Sequence, residues 1–304
     1  MIKYKSYRTY IMPEGPEVRI TADGLKKCLK GRHITNISVN SASRYKEGLK
    51  RYNKITFPLY VNDIITKGKK ILIITTPIPT EGVKIKYETI VFISALGMEG
   101  SWRLEDGKHA GIEIDFINNT KLYNKRLPIS NSHISHRLYF HDTRHFGSFD
   151  ICTKQKHIDH CLKSVGPDLL QEEIPFETYY SVISQKKLKH KEICWFMMEQ
   201  KFFSGIGNYL LAEILYASGI MPNRELNTLN SEEIQKLWYY SINIIKESYK
   251  CGGLTISTYF TMDGKRGVFI PQVYGRSYDK LGNKVETKTF SNKRTSHFVK
   301  NVQV

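Results

Sequence analysis

The chain has 304 residues, 40% of them hydrophobic, which is enough for about two domains with apolar cores. Forty-six Lys and Arg against 29 Asp and Glu leave a net charge of +17 at pH 7, which favours a polyanionic partner, nucleic acid first and a membrane surface as the rival. No apolar run approaches the roughly 18 residues of a spanning helix, and the first eleven residues lack the apolar core of a secretory signal. The five cysteines form no C-x-x-C pair, so neither a disulfide framework nor a zinc knuckle is readable, and reduced, mostly buried thiols are expected.

The first element begins in Met12-Pro13-Glu14-Gly15-Pro16-Glu17-Val18. One reading is a helix entry: Pro16 suits the first turn, acids favour the dipole, and Val18, Ala22, Leu25 and Leu29 recur at helical spacing toward Gly31. The other is chemical. If the chain started at Met12 and lost it, Pro13 would expose a free secondary amine with the Glu14 carboxylate beside it. Such an amine can form a cationic iminium with an electrophilic carbon, and the carboxylate can move the proton.

Strands are expected at 34–40, 71–75, 89–94, 112–117 and 137–141, with a basic loop over 44–54. Turn signals at Gly97, Asp106-Gly107 and Asn118-Asn119 separate them and argue for an antiparallel sandwich or barrel. From about residue 152 the pattern becomes helical, at 158–164, 175–184, 191–203, 208–218 and 231–249. Asn230 and Glu233 have the spacing of a capping box. Strand and turn signals return after Gly264 and lead into a basic tail.

Several stretches carry candidate chemistry. Lys67-Gly68-Lys69-Lys70 lets backbone approach a ligand beside lysines, or is a solvated basic turn. Leu96-Gly97-Met98-Glu99-Gly100 offers an apolar wedge for a base stack, or ordinary packing. In Asp142-Thr143-Arg144-His145-Phe146-Gly147 a cation and an aromatic lie two residues apart, on one face of an extended segment, where they could fill the gap left by an extruded base. Gly205-Ile206-Gly207-Asn208-Tyr209 joins two helices by a glycine turn whose unpaired N–H groups suit a phosphate.

Together with Glu199-Gln200 and Val273-Tyr274-Gly275-Arg276, these motifs occur in the order seen in the formamidopyrimidine and endonuclease VIII family of DNA glycosylases, which the chain resembles from residue 12 onward. Members with a zinc finger carry two C-x-x-C pairs near the end. Here those positions read Tyr278-Asp279-Lys280-Leu281 and Val299-Lys300-Asn301-Val302, so no tetrahedral thiolate site can form and no metal or cofactor is expected. This resembles the zincless finger of an endonuclease VIII-like subgroup.

The resemblance implies an α+β protein: an extension over 1–11 absent from the active form, a catalytic β-sandwich domain with a leading helix (12–152), a helical domain with a helix-two-turn-helix (153–262), and a β-hairpin zincless finger with basic tail (263–304). It implies base excision from DNA with strand cleavage. Pro13 would attack C1′ of the sugar, Glu14 would transfer protons, and Glu17 would assist near the sugar. Lys69, Asn208 and Arg294 would hold flanking phosphates, with Lys67, Gly207 and Tyr274 also at the DNA, while Met98, Arg144 and Phe146 would occupy the vacated stack. The finger leans the substrate toward oxidised pyrimidines and hydantoin or formamidopyrimidine lesions. The stretch 258–269, with Asp263-Gly264-Lys265, resembles the lesion-contacting region of the guanine-acting branch instead. The expected partner is damaged duplex DNA, with bubble or single-stranded DNA as an alternative, met by a monomer inside the cell wherever the genome is. The rival readings are a non-catalytic DNA-binding protein on the same scaffold and a basic RNA-binding protein.

Overall fold

The computed structural model describes residues 12–40, 45, 48–80, 82, 84–118, 136–255, 261–262 and 264–304. The expectations placed on the 1–11 extension, on Asn119, and on parts of the basic loop and of the 258–269 stretch lie outside the described residues. The described residues fall into two compact units. One takes Val18–Ser164 and the short segment ending at Lys265; the other takes residues 12–17, 165–255 and Arg266–Val304. Among the described residues no helix is long and apolar enough to cross a membrane.

Helix α1 (Gly15–Leu29) forms where the apolar spacing places it, and Val18, Ala22, Leu25 and Leu29 are all buried. It ends at Gly31, whose φ of 79° is open to glycine at little cost. The sheet unit then runs β1 (His33–Val39), β2 (Leu59–Lys67), β3 (Lys70–Pro77), β4 (Ile90–Ala95), β5 (Ser101–Arg103), β6 (Ala110–Ile117), β7 (His136–His141) and β8 (Ser148–Cys152). These make one eight-stranded antiparallel sheet in the order β5-β7-β6-β1-β2-β3-β4-β8. Trp102 in β5 and Phe149 in β8, at the two ends of that order, meet edge-on with centroids 5.7 Å apart. The expected sandwich or barrel is built as one continuous sheet whose two ends meet over the main core, to which α1 adds its apolar face.

Three strands escaped the sequence reading. In β2 the register slips between Val61 and Asp63, which breaks the alternation that would announce it; β5 and β8 are short. Helix α2 (Gln155–Lys163), expected to open the helical domain, lies with the sheet unit and packs on β8.

The second unit is mainly helical: α3 (Phe176–Ile183), α4 (Ile193–Met198), α5 (Asn208–Ser218) and α6 (Ser231–Lys250). Its core draws on all four, with Tyr209, Leu210, Leu211, Ile214 and Leu215 of α5 buried at its centre. The capping box at α6 is present: Asn230 accepts from the Glu233 N–H, and Glu233 accepts from the Asn230 N–H. Helix α4 is shorter than the expected 191–203. The Gln200 side chain stops it by donating to the Met198 and Ile206 carbonyls and accepting from the Gly205 N–H, which fixes the chain in a turn up to α5. A hairpin of β9 (Glu286–Thr289) and β10 (Thr295–Phe298) completes the unit.

Candidate active site and nucleic-acid interface

The chain enters α1 pressed against the turn before α5. The Gly15 N–H donates to the Gly205 carbonyl at 2.8 Å, and a Cβ on Gly15 would sit 3.0 Å from the Gly205 Cα. Pro13 and Glu14 are thereby buried at the start of α5. The Glu14 carboxylate accepts from the N–H groups of Gly207 (2.6 Å), Tyr209 (2.8 Å) and Leu210 (3.3 Å). The sequence suggested that these orphan N–H groups await a phosphate, but in the structure the anion at this helix end is a side chain of the protein itself. Glycine at 207 leaves room for this contact, since a Cβ there would fall 2.3 Å from the Glu14 Cδ and force the carboxylate to shift.

Glu17 lies one turn further along α1, also buried. It accepts from its own helix entry, the Glu14 N–H (2.9 Å), from the Tyr209 hydroxyl (3.0 Å) and from the Leu254 N–H (2.9 Å). Burial raises its pKa above the ordinary value, and the backbone donors only partly offset this. Tyr209 also shares a hydrogen bond with the Ser248 hydroxyl (2.9 Å), and burial, with Glu17 and Glu14 next in importance, keeps its phenol protonated. Two buried acids thus follow Pro13 closely in the chain, Glu14 in a cage of backbone N–H groups and Glu17 held by two backbone N–H groups and the Tyr209 hydroxyl.

Next to these lie three of the expected DNA contacts. Asn208 turns its amide toward β10 and donates to the Thr295 carbonyl at 2.9 Å. Tyr274 is buried, and desolvation followed by the Glu14 charge lifts its pKa to about 12. Arg294 is exposed in the turn between β9 and β10.

The sequence assigned no role to the parts that hold this cluster. Glu213, an acid in the otherwise apolar α5, accepts from the N–H groups of Gln272 (2.6 Å), Val273 (3.0 Å) and Tyr274 (2.9 Å), and so aims the Tyr274 turn. A lone carboxylate in the run Leu210-Leu211-Ala212-Glu213-Ile214-Leu215 was the available signal. His297 packs on Tyr274 with ring centroids 4.7 Å apart, and burial depresses its pKa to about 4.

In the segment proposed as a finger, Asp279 accepts from the Leu281 and Asn283 N–H groups and from the Tyr216 hydroxyl. Gln303 accepts from the Val299 N–H and donates to the Ile220 carbonyl. Among the described residues no group of three or more His, Cys, Asp or Glu is placed to hold a metal ion.

The remaining candidates belong to the sheet unit. Lys67 and Lys70 pair across a two-residue hairpin turn made of Gly68 and Lys69. The Met98 loop and the Asp142–Gly147 loop pack against each other, for a Cβ on Gly97 would meet the Phe146 carbonyl carbon at 2.4 Å. Asp142 accepts from the Gly147 N–H (2.7 Å), the Arg144 guanidinium stands 5.3 Å from the Phe146 ring centroid, and Phe146 is 58% exposed. Met98, Arg144 and Phe146 are therefore brought to one place in that unit, with an aromatic projecting into solvent.

Comparison with known proteins agrees over both units. Residues 12–149 match the formamidopyrimidine-DNA glycosylase N-terminal domain, and residues 165–260 match the formamidopyrimidine-DNA glycosylase H2TH domain. The chain belongs to the formamidopyrimidine-DNA glycosylase family. It is 28% identical over 295 residues to the formamidopyrimidine-DNA glycosylase of Legionella pneumophila strain Philadelphia 1, covering 94% of this chain and 96% of that protein. With the Bacillus cereus strain ZK enzyme of the same name it shares 27% over 282 residues, 87% and 88% of the two chains. Among solved structures, the MutM (Fpg) protein of Thermus thermophilus shares the fold with a TM-score of 0.75 at 24% identity, over 96% of this chain and 98% of that one. Lactococcus lactis Fpg in complex with abasic-site DNA gives 0.74 at 22% identity, over 95% and 99%.

Proposed function

We propose that this DNA glycosylase also cleaves the strand, through an iminium on the Pro13 nitrogen. The observation that carries the reading is the pinning of Glu14 to the N-terminus of α5 directly after Pro13. In this scheme the Pro13 nitrogen attacks C1′ of the extruded nucleotide, the bond to the base breaks, and the base leaves with a proton. The resulting iminium acidifies the neighbouring C–H, so the 3′ phosphate and then the 5′ phosphate are eliminated. Glu14 assists ring opening and proton transfer, with Glu17 behind it. Lys69, Asn208 and Arg294 hold phosphates, while Met98, Arg144 and Phe146 replace the lost base in the stack.

The chemistry requires a free amine, and in a chain that begins at Met1 the Pro13 nitrogen is a tertiary amide. The active form therefore starts at Pro13. The match to the family's N-terminal domain begins at residue 12, which supports this start. The names of the relatives favour formamidopyrimidine lesions, and the finger without cysteines keeps hydantoins and oxidised pyrimidines within the proposed range. The partner is damaged duplex DNA, met by a monomer, with bubble DNA as a second substrate form.

The test is sodium borohydride trapping on a panel of oxidised-base oligonucleotides, using protein begun at Met1 and at Met12 with termini checked by intact mass. Covalent adduct with the Met12 protein alone is the expected result. An adduct formed equally by intact Met1 protein would move the nucleophile elsewhere, Lys69 being the stand-in amine of choice. DNA affinity without any adduct would leave a non-catalytic binding scaffold.

A further inference from the structure

One cationic stretch plays no part in the reading above. Residues 185–191 read Gln-Lys-Lys-Leu-Lys-His-Lys. Leu188 is buried and anchors the short 3-10 turn Lys186–Leu188, while Lys186, Lys187, Lys189 and Lys191 are exposed. Among the described residues none of these four lysines forms an ion pair with an acid. A lysine-rich turn is most often a mobile, solvated feature, but this backbone is fixed. The Lys189 carbonyl accepts from the Asn227 N–H and the Lys191 carbonyl from the Leu226 N–H, both at 3.0 Å, and the Ile193 N–H donates to the Arg224 carbonyl at 2.8 Å.

Two of the charges are also held by an aromatic ring. The ammonium groups of Lys191 and Lys201 stand 5.0 and 5.6 Å from the Trp195 ring centroid, and Lys201 also reaches Glu199 at 3.2 Å. Cation–π contact restrains side chains that would otherwise lose most of their rotamer freedom on binding a ligand. The patch adjoins the candidate DNA contacts, because Glu192, next to Lys191, accepts from the Ser291 N–H (3.0 Å) in the same hairpin turn that carries Lys293 and Arg294. Exposed ammonium groups on a fixed backbone, with no acid inside the run and Arg294 in the adjoining turn, suit a regular polyanion.

We propose that Lys186, Lys187, Lys189, Lys191 and Lys201 form an accessory phosphate track for the undamaged duplex flanking the lesion. The proposal rests on the reading that this chain acts on DNA, and it adds a second zone of contact that lengthens the footprint without touching the chemistry. Each phosphate neutralised contributes about 0.9 to the slope of log affinity against log salt.

The experiment measures binding of the Met12-start protein to undamaged duplexes, one just covering the site and one extended on both sides, across a salt series. The comparison variants are K186Q/K187Q/K189Q/K191Q and the matching Lys→Arg set. The native protein should bind the long duplex more tightly than the short one. The Gln variant should lose that gain and about two to three units of salt slope on the long duplex, while the Arg variant keeps both. Borohydride trapping on a short lesion duplex should be equal in all three. A Gln variant that retains the native slope and length dependence, with native circular dichroism, would overturn the track. Absence of trapping in the native protein would instead overturn the catalytic reading and leave the salt result standing.

Discussion

The Glu14 carboxylate is the cap of helix α5, 2.6 Å from the Gly207 nitrogen and 2.8 Å from that of Tyr209. Proposed proton carrier and helix cap are one group, so its substitution should be felt in two measurements. Glu14→Gln keeps the shape, removes the charge, and turns an amide N–H toward a backbone donor. Trapping on lesion DNA should fall steeply, and stability should drop by about 1.5 to 3 kcal/mol in urea unfolding, the range for a hydrogen bond to a charged group. Native stability together with lost trapping would assign Glu14 to chemistry alone.

Gly207→Ala tests the same contact from the other side. The φ at 207 is −128°, which alanine accepts, so the only objection is the methyl group placed against the Glu14 carboxyl. Trapping should be abolished and the unfolding midpoint lowered, with helical content by circular dichroism unchanged. Wild-type trapping would show that the first turn of α1 can move aside.

Glu17 predicts a pH dependence. Its pKa is raised by burial, so the folded chain keeps that proton at a pH where the unfolded chain has released it. The associated stability is fully present below the unfolded value near 4.5 and is lost as pH climbs through the folded value. Relative to Glu17→Gln, the native protein should therefore lose stability as pH rises from about 4.5 upward. Parallel urea midpoints for the two proteins across that range would refute the assignment.

His297 slopes the other way. Its folded value of about 4 lies below the ordinary 6.5, so the unfolded chain takes up a proton that the buried ring refuses. Stability from this group is complete above about 6.5 and drains away as pH falls toward 4. The loss is of order 3 kcal/mol, since each pH unit separating the folded and unfolded values is worth about 1.4 kcal/mol. His297→Phe, which keeps the stack on Tyr274, should flatten the acid limb of the stability curve.

The finger should be indifferent to chelators and sensitive to its own hydrogen bonds. Asp279→Ala removes the acceptor of two backbone N–H groups and of the Tyr216 hydroxyl, and Gln303→Ala frees the Val299 N–H and the Ile220 carbonyl. Each should weaken DNA binding and cost about 1 to 3 kcal/mol, while a zinc chelator leaves the native protein unchanged. Chelator-induced loss of binding would show a metal site that the residue types do not suggest.

Elements with a strict local signature were legible. The apolar face of α1, the bounds of α5 and the Asn230–Glu233 cap came from spacing alone, because each depends on neighbours within a turn or two. What stayed hidden depends on distant partners. The apolar run through Phe203 reads as helix until Gln200 is seen gripping both sides of the turn. The glycines at 205 and 207 announced a turn suited to an anion but not that Glu14 would supply it, and Glu213 became a support for Tyr274 only once the segment after 270 was seen folded onto α5.

The Glu14–Gly207 bond spans 193 residues of chain. During synthesis, which proceeds from the amino end, the proposed nucleophilic tip is made first and waits, its carboxylate still hydrated, until helix α5 has left the ribosome. A product truncated before that helix would carry every residue of the tip and none of its anchorage, so an incomplete polypeptide should be chemically silent toward DNA.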